Sequence, residues 1–73
     1  MTATWTYYAE GTPPGRWLLW LDGDVIGMAI PGPPWRTYYR ECPGGSMLPG
    51  TRCDDEQAAK PTVESACASR GVL

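Results

Sequence analysis

The stretch that decides the fold is Arg16–Ile30, with the sequence RWLLWLDGDVIGMAI. Two apolar runs, Arg16–Leu21 and Val25–Ile30, flank the short segment Asp22-Gly23-Asp24. Glycine adopts the positive φ that tight hairpin turns require, so this arrangement predicts a β-hairpin. The hairpin is therefore the expected centre of an antiparallel sheet.

The register of this hairpin depends on the length of its turn. A two-residue turn puts two alternating sets on one face: Trp17, Leu19 and Leu21 with Ile26, Met28 and Ile30. A three-residue loop instead pairs Leu18 and Trp20 with that second set. A slip of one residue moves every side chain to the opposite face, and both registers stay open. In either register the hairpin is apolar on both faces.

Two further segments predict strands on either side of the hairpin. Residues 3–9, ATWTYYA, are rich in Thr, Trp and Tyr. After the hairpin, Pro31-Gly-Pro-Pro34 cannot continue a ladder, and residues 35–41, WRTYYRE, then resume alternation. The segment 42–53, CPGGSMLPGTRC, is rich in Gly and Pro and predicts a loop without a register.

Helical character is confined to the C-terminal end. The acids Asp54-Asp55-Glu56 suit a helix start, but Pro61 lacks an N–H and is expected to break a long helix. The sequence predicts a short turn at 54–59 and then a helix at about 63–70. Thr62 is its expected N-cap, and Gly71 suits the position after its end. The small residues Val63, Ala66 and Cys67 form a narrow stripe that can pack closely on a sheet, over Gly27 and Ala29.

These elements predict an α+β fold in a single small domain, residues 1–73. Its small antiparallel sheet has three to four strands and is followed by one short C-terminal helix. The expected strands lie at about 3–9, 16–21, 25–30 and 35–41, the helix at about 63–70, and the Gly/Pro-rich loop at 42–53. At 73 residues and 8.0 kDa the core is thin.

Composition excludes several classes of function. The net charge is −2 and the pI is about 4.8, which argues against a dedicated duplex-DNA binder. No apolar run reaches the roughly 18–20 residues of a membrane span, and no signal peptide is visible, so a cytoplasmic location is expected. The chain has no histidine and a single lysine, Lys60. Nucleophile-plus-base arrangements are therefore scarce, and we expect no enzymatic activity and no cofactor.

The three cysteines, Cys42, Cys53 and Cys67, leave three interpretations. A zinc site would need all three together with an acid such as Asp54, since no histidine is present. A Cys42–Cys53 disulfide would close the Gly/Pro loop and contribute about 3 kcal/mol. The odd count and the lack of a signal peptide favour reduced thiols, with Cys67 as a small buried hydrophobe. No metal site is expected.

The segment Trp35–Arg40 is the best candidate for contact with nucleic acid. Aromatic rings interleaved with arginines, here Trp35, Arg36, Tyr38 and Arg40, can stack on and neutralise a single strand. The alternative is that the rings pack in the core and the arginines flank them by cation–π contact. Residues 1–40 hold three arginines and three acids, so the second alternative is favoured and nucleic acid is not the expected partner.

Two resemblances to known families bear on function. Pro13-Pro14 with Trp17 and Tyr38-Tyr39 resembles a WW domain. That family has a second Trp followed by Pro soon after the tyrosines, where this chain has Cys42-Pro43-Gly44. No binding residue is therefore carried over.

A wider resemblance is to small uncharacterised accessory proteins of phages and prophages in GC-rich bacteria. It rests on the Trp-rich hairpin 17–30, the third strand 35–40, the Gly/Pro loop and the closing-helix residues Thr62, Glu64 and Ala66. The composition, rich in Ala, Gly and Arg and poor in Lys, is similar too. The resemblance implies a phage accessory protein that acts by binding a host macromolecule rather than by catalysis.

The second apolar face of the hairpin points to function most directly. One short helix can cover only one face of a sheet, so the other is expected to meet a copy of itself, a partner or the loops. A homo-oligomer, most simply a two-fold dimer, is the first expectation. The sequence thus predicts a non-enzymatic protein-binding module, with single-stranded nucleic-acid binding as the alternative. The expected partner-binding residues are Trp17, Trp20, Trp35, Arg36, Tyr38 and Arg40.

Overall fold

The fold is one antiparallel sheet with a helix on one of its faces. The computed structural model describes residues 3–10, 15–42 and 44–73. Its five strands lie in the sheet in chain order. The elements are β1 Thr4–Tyr8, β2 Arg16–Leu21, β3 Asp24–Ile30, β4 Arg36–Arg40, β5 Met47–Pro49 and α1 Glu56–Ser69. The α+β prediction is confirmed, but the sheet has five strands instead of three to four.

A two-residue turn joins β2 to β3, as the Asp-Gly sequence predicts. Leu21 pairs with Asp24, which leaves Asp22 and Gly23 as the two central turn residues. Both have positive φ, 53° and 82° respectively. Such a turn matches the right-handed twist of the strands it connects.

A β-bulge follows this turn and changes the register. Trp20 pairs with Val25, but Leu19 pairs with Gly27, so Ile26 is an extra residue on β3. The guanidinium of Arg40 donates to the carbonyl of Val25 from both Nε and Nη2 and so supplies donors at the bulge. Both predicted registers place Ile26, Met28 and Ile30 on one face, and the bulge separates Ile26 from the other two. Neither register therefore holds along the whole hairpin. Ile26 lies with Leu19 on the helix side, whereas Met28 and Ile30 lie on the opposite face with Leu18.

The segment 42–53 contains a strand, contrary to the prediction of a loop without a register. Gly44, with φ of 76°, lies in the turn that leads from β4 into β5. β5 then pairs with β4, and Trp35 and Cys53 exchange backbone hydrogen bonds of 2.7 and 2.9 Å beyond it. Pro49 is tolerated because β5 has a single neighbour in the sheet and needs few backbone donors.

The helix begins seven residues earlier than predicted and passes through Pro61. Asp55, not Thr62, is the N-cap, and its carboxylate accepts a 2.9 Å hydrogen bond from the backbone N–H of Ala58. Pro61 leaves the carbonyl of Gln57 without its usual donor, but both residues are exposed, so water can satisfy that carbonyl. The Thr62 hydroxyl instead donates to the Ala58 carbonyl at 2.7 Å.

The helix packs on the sheet through its small residues, which confirms the predicted contact with Gly27. A Cβ added at Gly27 would collide with Val63 Cγ1 and contact Cys67 Sγ. One turn earlier in the helix, Ala59 packs in the same cluster as Ala29 of β3. Helix and sheet thus approach closely because neither carries large side chains there. The fully buried residues of this layer are Leu19, Ala29, Ala59, Val63 and Cys67.

Candidate protein-docking surface

The face of the sheet opposite the helix, called the open face here, carries no packed element among the described residues. Strand pairing aligns Leu18, Met28 and Tyr38 in a row across β2, β3 and β4. Leu18 lies beside Thr6 of β1, and Tyr38 beside Pro49 of β5. All three residues of the row are half-buried rather than buried. The middle of the open face is therefore apolar and accessible to solvent.

Other apolar side chains extend this row towards both ends of the strands. Trp20 and Val25 pair with each other on the hairpin-turn side, and Ile30 lies at the opposite end beside Arg36. The indole Nε1 of Trp20 donates to Thr6 Oγ1 at 2.8 Å, which holds the ring across β1. Two aliphatic side chains and one fixed indole thus extend the apolar row.

The charged side chains at the rim of the open face are arginines. Arg16 lies with its guanidinium carbon 5.0 Å from the centre of the Tyr8 ring. At the far corner, Arg36, Arg52 and Tyr38 help line a shallow groove of about 230 Å³. Among the strand residues of this face none is acidic. A partner surface with acidic side chains at its edge would therefore match this rim.

The structure separates the six residues predicted to bind a partner. Trp20 and Tyr38 lie on the open face, and Arg36 is exposed at its rim. The Arg40 guanidinium is engaged at the end of the sheet, where it donates to the carbonyls of Val25 and Gly45. The remaining two, Trp17 and Trp35, pack on the helix side near Ala29, Cys53 and Ala59. The Trp35–Arg40 segment is thereby divided between the two faces.

Trp17 takes part in a cation–π cluster beneath the helix. Lys60 Nζ lies 3.4 Å from the centre of the Trp17 ring and 5.7 Å from that of Trp5. The same ammonium is 3.4 Å from a carboxylate oxygen of Glu56, one helical turn away. Trp5 Nε1 in turn donates to Glu64 at 3.0 Å. These contacts anchor β1 and β2 to the helix, and they explain Trp17 as a structural residue.

The open-face residues that the sequence-based prediction omits include the aliphatic side chains Leu18, Val25, Met28 and Ile30. The six residues predicted to bind a partner are all aromatic or basic, whereas two of the three residues in the central row are aliphatic. The sequence feature that indicates these residues is the hairpin, which is apolar on both faces. The bulge, which the sequence does not reveal, decides which residue of each pair is exposed.

A second depression lies between the helix and the β4–β5 edge. It has a volume of about 450 Å³, and its lining includes Thr37, Thr62, Ser69 and Arg70. The hydroxyls of the first three donate to backbone carbonyls, and Arg70 donates to the Tyr39 hydroxyl at 3.3 Å. These four polar side chains are therefore occupied within the fold, and among them no nucleophile lies beside a base.

The three thiols are free and far from equivalent. Cys42 is exposed, whereas Cys53 and Cys67 are buried. Burial raises the pKa of the Cys67 thiol, the backbone N–H of Arg40 acts in the opposite direction, and the Glu64 carboxylate raises it further. The protonated thiol donates to the Ile26 carbonyl at 3.3 Å. In the part of the chain that the structure describes, no three Cys, Asp or Glu side chains cluster as metal ligands would.

Comparison with known proteins identifies no relative of this chain. The chain matches no protein-family model, and no significant similarity was found to a curated protein or to a solved structure. Within residues 3–10, 15–42 and 44–73, no helix has both the length and the apolar character needed to cross a membrane.

Proposed function

We propose that this protein is a non-enzymatic protein-binding module that docks through its open face. The observation that carries the proposal is the half-buried apolar row Leu18–Met28–Tyr38, which no described element covers. Leaving such a contiguous apolar surface in water is unfavourable, and surfaces of this kind mark sites of protein association. Trp20 and Tyr38 supply the large amphipathic side chains that commonly anchor such contacts.

The chemistry of the open face also suggests the character of its partner. An aliphatic centre with arginines at the rim suits a protein surface that is apolar in the middle and acidic at its edge. The resemblance to phage accessory proteins makes a macromolecule of a bacterial host the expected target and the bacterial cytoplasm the expected location. An inhibitor or accessory factor of this type acts by occupying a surface of its target.

Single-stranded nucleic acid is the weaker candidate for this surface. Base stacking needs accessible aromatic faces beside free cations. Trp35 packs on the helix side and Arg40 donates to two backbone carbonyls, so only Arg36 and Tyr38 of that segment remain available. Leu18, Val25, Met28 and Ile30 offer a base nothing to hydrogen-bond or stack upon.

An affinity experiment with matched variants tests the proposal. Met28→Lys places a charge at the centre of the open face, and Ser65→Lys places the same charge on the exposed side of the helix. Wild type and both variants are immobilised and exposed to nuclease-treated lysate of a GC-rich bacterium. We expect a protein that wild type and Ser65→Lys retain in high salt and that Met28→Lys loses.

Two results would count against protein docking at this face. One is an identical set of retained proteins for wild type and Met28→Lys. The other is binding of a labelled single-stranded oligonucleotide that falls steeply with salt and disappears in an Arg36→Ala, Arg40→Ala double variant. The second result would establish the nucleic-acid alternative. Far-ultraviolet circular dichroism of each variant controls for loss of the fold.

A further inference from the structure

The outer edge of β1 is a strand edge without the usual protection. Thr4–Tyr8 pairs with β2 along its whole length, without a bulge, and has no described neighbour on its other side. Its sequence, TWTYY, contains neither a charged residue nor a proline. Proteins normally protect exposed edges with lysine, proline, a bulge or a very short strand. The opposite edge follows that practice, since β5 has three residues and ends at Pro49.

Two large side chains on this edge are unusually exposed. Tyr7 is 55% accessible and Tyr8 is 41% accessible, and the remaining large exposed hydrophobic residue described is Leu73 at the end of the chain. Tyr7 does contact its own sheet, since its ring lies 5.2 Å from that of Trp17 in an edge-to-face arrangement. One side of each tyrosine nevertheless remains in solvent. The two exposed tyrosines therefore lie on the same strand whose outer backbone N–H and C=O groups have no described partner.

The sequence of β1 is complementary to itself in antiparallel orientation. When two copies pair around Thr6, Thr6 faces Thr6 of the second copy, and Trp5 faces Tyr7. Thr4 then faces Tyr8. Thr–Thr and aromatic–aromatic neighbours are among the favourable cross-strand pairs, and no like charges oppose each other. An isologous contact of this kind closes as a two-fold dimer.

We propose that β1 pairs with β1 of a second copy and that the two sheets form one continuous ten-stranded sheet. The two-fold axis is perpendicular to the sheet and passes midway between the two Thr6 residues. Both open faces then lie on the same side, with both helices on the other. This proposal rests on the edge and not on the open face, and it leaves the proposed docking surface free and doubled in area.

A charge-swap experiment tests the pairing around Thr6. Thr6→Lys and Thr6→Glu each oppose two like charges across the axis, and we expect each to weaken self-association by about tenfold. An equimolar mixture of the two variants opposes unlike charges and should regain the dimer. The readout is solution mass by light scattering, from micromolar to submillimolar concentration in reductant, compared with the 8.0 kDa of one chain.

Ser65→Lys is the matched control, because it places the same charge on the exposed side of the helix and not on the β1 edge. We expect this variant to dimerise like wild type, and circular dichroism should show that all variants are folded. A wild-type chain that stays monomeric at submillimolar concentration overturns the proposal. So does a dimer that Thr6→Lys leaves intact, which would indicate association through the open face, or a mixture that fails to associate.

Discussion

Gly27 lies so close to the helix that the core has no room for one additional carbon atom at this position. The helix lies near enough to β3 that Val63 and Cys67 occupy the space a side chain at position 27 would need. Protein interiors pack at high density, so an added methyl group forces its neighbours to shift. The glycine at this position is therefore explained by packing and not by backbone conformation.

Gly27→Ala is expected to destabilise the fold by about 2 kcal/mol. Chemical denaturation followed by tryptophan fluorescence measures this. The double variant Gly27→Ala, Val63→Ala should lose less than the sum of the two single variants, because the smaller residue makes room for the added methyl. Strict additivity would mean that the two positions do not touch.

The buried thiol of Cys67 gives the stability a pH dependence at alkaline pH. Its pKa is raised in the folded state, so the folded protein holds this proton more tightly than the unfolded chain. That contribution is complete below the ordinary thiol pKa of about 8.5 and decreases as pH rises through the higher folded value. We expect the free energy of unfolding to decline in this range, and less so in Cys67→Ala. Urea denaturation of wild type and Cys67→Ala across this pH range measures both slopes.

At the scale of the elements, the helix shows how an unfavourable residue can be accommodated. Asp55 provides a cap, Glu56 lies in the first turn, and the buried side of the helix packs on the sheet. Tertiary packing of this kind outweighs local propensity in most protein helices. A proline inside a helix is costly in isolation, yet Pro61 lies on the exposed side, where water can satisfy the free carbonyl of Gln57.

Pro61→Ala should therefore stabilise the protein, by about 1–3 kcal/mol, because it restores the hydrogen bond to Gln57. Asp55→Ala should have the opposite effect and cost about 1 kcal/mol through loss of the N-cap. Urea denaturation of the two variants measures both changes. A loss of stability in Pro61→Ala would contradict a continuous helix through residue 61.

The elements could be predicted from the sequence to different extents. The Asp-Gly turn, the alternation in β1 and β4 and the small-residue stripe of the helix are local signals, and each led to the observed element. β5 was missed because its three residues, between Ser46 and Gly50, carry too little pattern, and its position depends on pairing with β4. The bulge at Ile26 was missed because it depends on the packing of Ile26 under the helix and on the Arg40 donors.

The candidate site could be predicted only in part, for the same reason. An apolar hairpin without enough helix to cover it indicates an exposed face, and that inference needs only composition and alternation. Which side chains occupy the face depends on the register. Trp17 and Trp35 were expected to contact a partner, but they lie against Ala59 and its neighbours on the helix side. Large aromatic residues are equally useful in a core and in an interface, so residue type alone does not distinguish the two.

At the scale of the whole molecule, the two faces of the sheet and the β1 edge differ in what they present. The helix face holds the core, the open face presents an apolar centre with arginines at its rim, and the β1 edge has unpaired backbone groups. A chain of 73 residues can form only a small core, and monomeric proteins rarely leave large apolar surfaces in water. An uncovered apolar face together with an unprotected strand edge is therefore unusual. In our account each has a separate partner, a second copy at the edge and a target protein at the face.

We expect one apolar face of the sheet to remain accessible in solution. The most direct measurement is the relaxation of methyl protons by a soluble paramagnetic probe. We predict strong enhancement at the methyls of Leu18 and Met28 and weak enhancement at those of Leu19 and Val63, which the helix covers. Equally weak enhancement at all four residues would contradict the account, because it would mean that some part of the chain or a second copy covers the open face.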